Sequence, residues 1–302
     1  MPLHLLFPLF SSIVFVVGMM FAKYGIARGA SPWTGTFLAN LWLAVSWAAF
    51  GLWHGELLPL DGWWQATLVG LSFLLGQVFT YLAFQHGDVS VATPIFGVKV
   101  IIVASMVSLL ARESIAGNVW IGAFLATAGV VLVQAGTRSG PAQGIRPEAT
   151  TRKAVLTVLM ALAAATSLSL FDVGLMTWGR EWGASRFLPA MFIATGVLSC
   201  AVLPWTDRPA RLSELKIARP MLIGTLLMAL QAMSMSWSLS EFGDATRINI
   251  VYALRGLWAV LLAWLLARSF GGGEAHHSRR IMLTRLAGAA LLTASVVVAL
   301  RG

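Results

Sequence analysis

The sequence predicts an all-α membrane protein of about ten transmembrane helices in two inverted five-helix repeats, and three observations predict it. First, 58% of the 302 residues are hydrophobic and only 11% charged, with a mean hydropathy of +0.80, whereas about a quarter of a soluble chain is charged. Second, apolar runs of the ~20 residues that a spanning helix needs recur along the whole chain. Third, two distant apolar stretches carry the same charged pattern. Residues 87–112 (GDVSVATPIFGVKVIIVASMVSLLAR) align without a gap on residues 243–268 (GDATRINIVYALRGLWAVLLAWLLAR). Gly87-Asp88 then falls on Gly243-Asp244, Lys99 on Arg255, and Leu109-Leu110-Ala111-Arg112 on Leu265-Leu266-Ala267-Arg268.

The predicted spans are 4–27, 34–54, 65–85, 89–111, 117–135, 153–178, 187–204, 219–240, 245–268 and 283–300. The first is apolar from the third residue, has no basic leader, and runs into Lys23 and Tyr24 rather than a small-residue cleavage site. It is read as a retained span and not a signal peptide. Trp33, Trp53, Trp63, Trp64, Trp178, Trp182 and Trp205 fall at or just beyond span ends, where amphipathic rings prefer to sit. A connector rich in Gly, Pro and charge at 136–152 separates a first repeat, 1–135, from a second, 153–302. A polar insertion, GGGEAHHSRR at 271–280, separates the ninth and tenth spans.

The duplication extends beyond the opening pair. Gly70 and Gln77 match Gly224 and Gln231; FAKYG at 21–25 lies opposite LFDVG at 170–174, which sets Lys23 across from Asp172. IGAFLATAGVVLV at 121–133 parallels AGAALLTASVVVA at 287–299. Five spans per half is an odd number, so the second half enters the membrane from the opposite side, as in carriers that work by alternating access.

On these residues the chain resembles a known family. The segments QHGDVSVATPIFGVKV and LLARESIAGNVWIGAFLATAGVVLV are similar to the EamA-type repeat of the drug/metabolite transporter superfamily. The shared pattern is a small-residue turn, a helix with a central proline (Pro94), an Arg112-Glu113 pair and a Gly-rich fifth helix. The resemblance covers nearly the whole chain, once per half, and Lys23 matches a lysine often found at the end of the first span. Asn40 stands where many relatives have an arginine, and Ser269 where the second repeat would carry the glutamate. The resemblance implies a secondary carrier in the inner membrane, with export of amino-acid-like or organic-acid compounds as its task.

An ionisable group at mid-bilayer costs ~2.5–3.5 kcal/mol on the insertion scale, and such groups mark functional sites by default. Lys99 and Arg255 each lie about ten residues into a span. Phe96 and Tyr252 are one helical turn before these cations, and Trp258 is one turn after Arg255. Cations among aromatics suit an anionic head with an apolar body; pairing with a buried carboxylate, or capping of broken-helix carbonyls, is the structural alternative. Asp172 is the carboxylate set deepest within a span. It admits two roles, taking up a coupling proton or neutralising Lys23. Gln77 and Gln231 are related amides that contact substrate or bond helix to helix, with Tyr81 one turn from Gln77. The substrate-binding set expected from these arguments is Lys99, Arg255, Lys23, Gln77, Gln231, Tyr81, Phe96, Tyr252 and Trp258, in a central cavity lined by spans 1, 3, 4, 6, 8 and 9. Asp88 and Asp244 read as N-caps, and Arg112 and Arg268 as dipole partners at the other helix ends.

Several classes are set aside. The single Cys200 lies in an apolar segment and supports no disulfide or cysteine metal site, and His276-His277 has no spaced partner. The +9 net charge sits mostly in short loops, which suits anionic lipid headgroups and not nucleic acid. No phosphate-cradling loop, nucleophile triad or close carboxylate pair occurs in the apolar segments. The expected protein is therefore not an enzyme and carries no cofactor. Its partners are a small-molecule metabolite, the lipid bilayer and a coupling proton. A carrier of lipid-linked or phosphorylated headgroups and a non-transporting scaffold or sensor are the alternatives. Loop charges place both termini outside the cytoplasm, whereas the resemblance implies the reverse; no orientation or oligomeric state is assigned.

Overall fold

The computed structural model describes residues 2–86, 97–135, 147–270 and 279–301. Among them every regular element is helical: α1 (Leu6–Ala27), α2 (Pro32–His54), α3 (Trp63–His86), α4 (Lys99–Leu109), α5 (Gly117–Ala135) and α6 (Pro147–Gly174), then α7 (Ala184–Ser199), α8 (Pro209–Glu214), α9 (Ala218–Phe242), α10 (Ala245–Tyr252), α11 (Arg255–Phe270) and α12 (Arg279–Leu300). Eight helical stretches are long and apolar enough to cross a membrane, and Lys99–Leu109 and Gly117–Val133 are shorter apolar helices. The all-helical, multi-pass architecture read from the sequence is thus present.

Local chemistry sets the helix ends. α2 opens with Pro32 in its first turn, where the missing N–H has no helical partner to lose, and closes on Gly55 at φ 68. Gly243, at φ 67, closes α9 in the same way. Polarity is distributed as a bilayer demands. Val45, Ile121, Phe124, Leu159, Val197 and Leu283 face outward and are exposed, while Ser11, Asn40, Ser169, Asp172, Thr195 and Ser236 are buried. Some buried hydroxyls bond within their own helix: Ser169 Oγ donates to the Ala165 carbonyl at 2.7 Å, and Thr195 Oγ1 to that of Met191 at 2.9 Å. This removes unsatisfied polar groups from an apolar surrounding.

The chain forms two compact units, one of Gly76–Ser169 with Ala245–Gly302 and the other of Pro2–Leu75 with Leu170–Asp244. Each takes helices from both halves of the sequence, and the division falls inside α3 and α6.

In the first unit α5 runs antiparallel against α12 along a seam of small residues. A Cβ added to Gly288 would lie 2.6 Å from the Val133 nitrogen and 2.8 Å from the Gly129 carbonyl oxygen; one on Gly122 would lie 3.0 Å from the Ser295 carbonyl oxygen. Small residues let backbones approach this closely where water does not drive association. The sequence correspondence carries Gly122 onto Gly288 and Gly129 onto Ser295. The Gly129–Gly288 contact therefore maps onto the Ser295–Gly122 contact, as a self-complementary, two-fold interface requires. Val119, Ala123, Ala126 and Val133 join Leu292 and Ala299 in the core behind this seam.

The second unit repeats the arrangement with α2 and α7. Gly51 packs on Pro189, and Gly196 on Ala44. One constant shift along the chain carries Ala44 onto Pro189, Trp47 onto Phe192 and Gly51 onto Gly196. The two contacts are thus equivalent, and Trp47 stacks on its own counterpart, with ring centroids 6.1 Å apart and planes 5° from parallel. α1 lies on α9 through Gly18 and Gly224. At one end of this unit Ser31 Oγ donates to the Trp205 carbonyl. At the other end Trp182 Nε1 donates to Gln65 Oε1 at 2.6 Å, and Arg186 pairs with Glu56 at 2.9 Å. Connections that meet in this way agree with helices that alternate in direction.

Candidate functional site

The sequence draws the ninth span as one helix, 245–268, but the structure breaks it: α10 ends at Tyr252, Ala253-Leu254 form a turn, and Arg255 is the first residue of α11. Two successive three-residue bonds tighten the break, from the Leu254 N–H to the Val251 carbonyl and from the Gly256 N–H to that of Ala253. A tightened stretch inside a helix marks a hinge or a functional position. At the duplicated site Val98 is a turn residue and Lys99 is the first residue of α4. The correspondence reaches single bonds: the Ile102 N–H donates to the Val98 carbonyl at 3.0 Å, and the Trp258 N–H to the Leu254 carbonyl at 3.1 Å.

Lys99 and Arg255 therefore each follow directly on a short helix irregularity, at Val98 and at Ala253-Leu254. The N-terminal end of a helix is its positive end and favours an anion, not a further cation. Here the N–H groups of Ile102, Gly256 and Trp258 are bonded to the preceding turn, so the charge at each position is that of the side chain. Both side chains are partly buried. The Arg255 guanidinium lies over the Tyr252 ring at 4.4 Å from its centroid, and Tyr252 itself is buried. The one-turn spacing read from the sequence is realised as a cation–π contact. Phe96, the expected counterpart beside Lys99, lies outside the described residues, as do Pro94 and Asp88. Val100 and Ala253, next to the two breaks, share one buried apolar cluster with Ile101, Leu254 and Leu257 packed against it.

Of the expected set, Gln77, Tyr81, Lys99, Tyr252, Arg255 and Trp258 belong to the first unit, and all but the buried Tyr252 are partly buried. Lys23, Asp172 and Gln231 belong to the second unit. There Lys23 is exposed, Asp172 is 1% exposed, and the Gln231 carbonyl accepts from Ser11 Oγ at 3.0 Å. Asp172 lies one turn before the π-helical segment Leu175–Gly179 that prolongs α6. Such widened turns are frequent at functional positions. Asp244 sits in the turn before α10, 4.0 Å from His4 Nε2. Asn40 is fully buried and donates from Nδ2 to Ser199 Oγ at 2.8 Å.

The helix breaks are what sequence reasoning missed. The signal was a glycine beside each cation, Gly97 two residues before Lys99 and Gly256 directly after Arg255.

The apolar helices together make the fold that of a multi-pass membrane protein. Residues 3–135 match the model of the EamA-like transporter family. The whole fold is similar to a crystal structure described only as "Crystal structure of protein", at 20% identity and TM-score 0.69 over 98% of this chain and 96% of that chain. No curated protein matches.

Proposed function

We propose that the protein is a secondary-active inner-membrane permease that moves small anionic or amino-acid-like metabolites, as an exporter, by alternating access between two inverted repeats. The observation that carries this reading is the position of Lys99 and Arg255 directly after helix irregularities at corresponding places of the two halves. Discontinuous helices in corresponding places of two halves are where carriers bind anionic groups. The self-matching contacts of Gly129 with Gly288 and of Gly122 with Ser295 support the inverted repeat. Lys99 and Arg255 hold the anionic head, and Phe96, Tyr252 and Trp258 hold the apolar part. Gln77 and Tyr81 add polar groups in the same unit, Lys23 and Gln231 are the substrate contacts of the other unit, and Asp172 carries the coupling proton. A scan of purified protein against α-amino acids, monocarboxylates and dicarboxylates tests the ligand class. A matching carboxylate raises the apparent melting temperature of wild type and not of Arg255→Ala. Stabilisation by uncharged analogues alone contradicts the reading.

A further inference from the structure

A second cationic surface lies at the end of the second unit where the α1–α2 turn meets residues 205–219. Asp207 organises it. Its carboxylate, 2% exposed, accepts from the Ser31 N–H at 2.5 Å and from Thr34 Oγ1 at 2.9 Å, and pairs with Arg211 at 3.3 Å. Arg211 also donates to the Gly29 carbonyl at 3.3 Å. The Asp207 carboxylate is thus spent inward, while Arg28, Arg208, Arg211, Lys216 and Arg219 are exposed and, within residues 205–219, Glu214 is the one exposed acidic side chain. Arg28 lies over the exposed Tyr24 ring, and Trp205, 60% exposed, packs near Trp33 with centroids 6.0 Å apart. Below them Leu212, Ile217, Met221 and Ala30 form a small core that fixes α8 against the helices.

Lys216 adds an independent observation. It follows α8 at φ 55, a left-handed conformation that a glycine would adopt without strain. A lysine there holds an ammonium at the rim of the surface at a cost in backbone energy.

We infer that this end of the protein docks on anionic phospholipid headgroups, with Arg28, Arg208, Lys216 and Arg219 meeting phosphates and Tyr24 and Trp205 entering the interface. Basic residues beside interfacial aromatic rings are attracted to an anionic leaflet. The surface is independent of what the carrier moves.

The test uses purified full-length protein in neutral detergent, with phosphatidylglycerol or phosphatidylcholine added and the melting temperature recorded. Phosphatidylglycerol is expected to raise it well above the phosphatidylcholine value, and added salt to shrink the difference. Arg208→Gln with Arg219→Gln is expected to remove about half of that difference or more. Lys216→Gly is expected to melt higher than wild type without phosphatidylglycerol yet to gain less from it, a pair of opposite changes that a folding defect does not produce. Equal shifts from both lipids, an undiminished shift in these variants, or the same shift from free glycerol phosphate would overturn the inference.

Discussion

The Arg255 guanidinium stands 4.4 Å from the centroid of the Tyr252 ring, across the turn that separates α10 from α11. The contact holds the Arg255 side chain against the break. A phenyl ring suffices for that. Tyr252→Phe is expected to keep the apparent substrate affinity in a flux assay. Tyr252→Leu is expected to weaken it about three- to thirty-fold, the equivalent of a contact worth ~0.5–2 kcal/mol. Equal losses in both variants would assign the role to the hydroxyl instead.

Gly288→Ala tests the α5–α12 seam. The new methyl would meet the Val133 nitrogen at 2.6 Å and the Gly129 carbonyl oxygen at 2.8 Å, both backbone atoms that cannot swing aside. A loss of about 1–3 kcal/mol is expected, read as a lower melting temperature in detergent. Gly256→Ala is the control, because its nearest neighbour is the Leu292 side chain at 3.5 Å.

Asp207→Ala removes the acceptor shared by the Ser31 N–H, the Thr34 hydroxyl and Arg211. Charge-assisted bonds to a buried carboxylate are worth more than neutral ones, and the loss leaves donors at the start of α2 unsatisfied. A destabilisation of about 2–3 kcal/mol is expected by thermal melting. No change in melting temperature would show that water replaces the carboxylate without loss.

Lys216→Gly is expected to stabilise by about 1 kcal/mol in neutral detergent, through relief of the left-handed conformation alone. Lys216→Ala, which keeps the strain and removes the charge, separates the two effects and is expected to leave stability unchanged.

The fold was legible because its determinants are local and repeated. Apolar runs long enough to span, bounded by Trp53, Trp63 or Trp205, need no tertiary knowledge, and polar landmarks such as Lys99 and Arg255 or Gln77 and Gln231 expose the duplication. The pairing of Arg255 with Tyr252 was legible from helical spacing. The break between them was marked only by Gly256, a weak signal beside Ala253 and Leu254, which are good helix formers. The equivalence of α2 and α7 was not legible. Trp47 and Phe192 share little beyond an aromatic ring, and Asn40 corresponds to Ser185, so the relation is visible only when Gly51 and Gly196 are seen meeting each other's helices at matched contacts. The small core under α8 was hidden for a different reason: Leu212 and Ile217, which meet Met221 of the eighth predicted span, lie in a charged stretch that reads as a loop.

Counterflow in proteoliposomes measures the central claim most directly, with Lys99→Ala and Arg255→Ala compared against Lys99→Arg and Arg255→Lys for a carboxylate that stabilises the wild type. If the two cations bind the moving anion, both neutral variants lose uptake by at least about tenfold, the equivalent of ~1.4 kcal/mol, while the charge-preserving variants retain part of it. Wild-type rates in Lys99→Ala and Arg255→Ala, with the protein correctly inserted, would contradict the account.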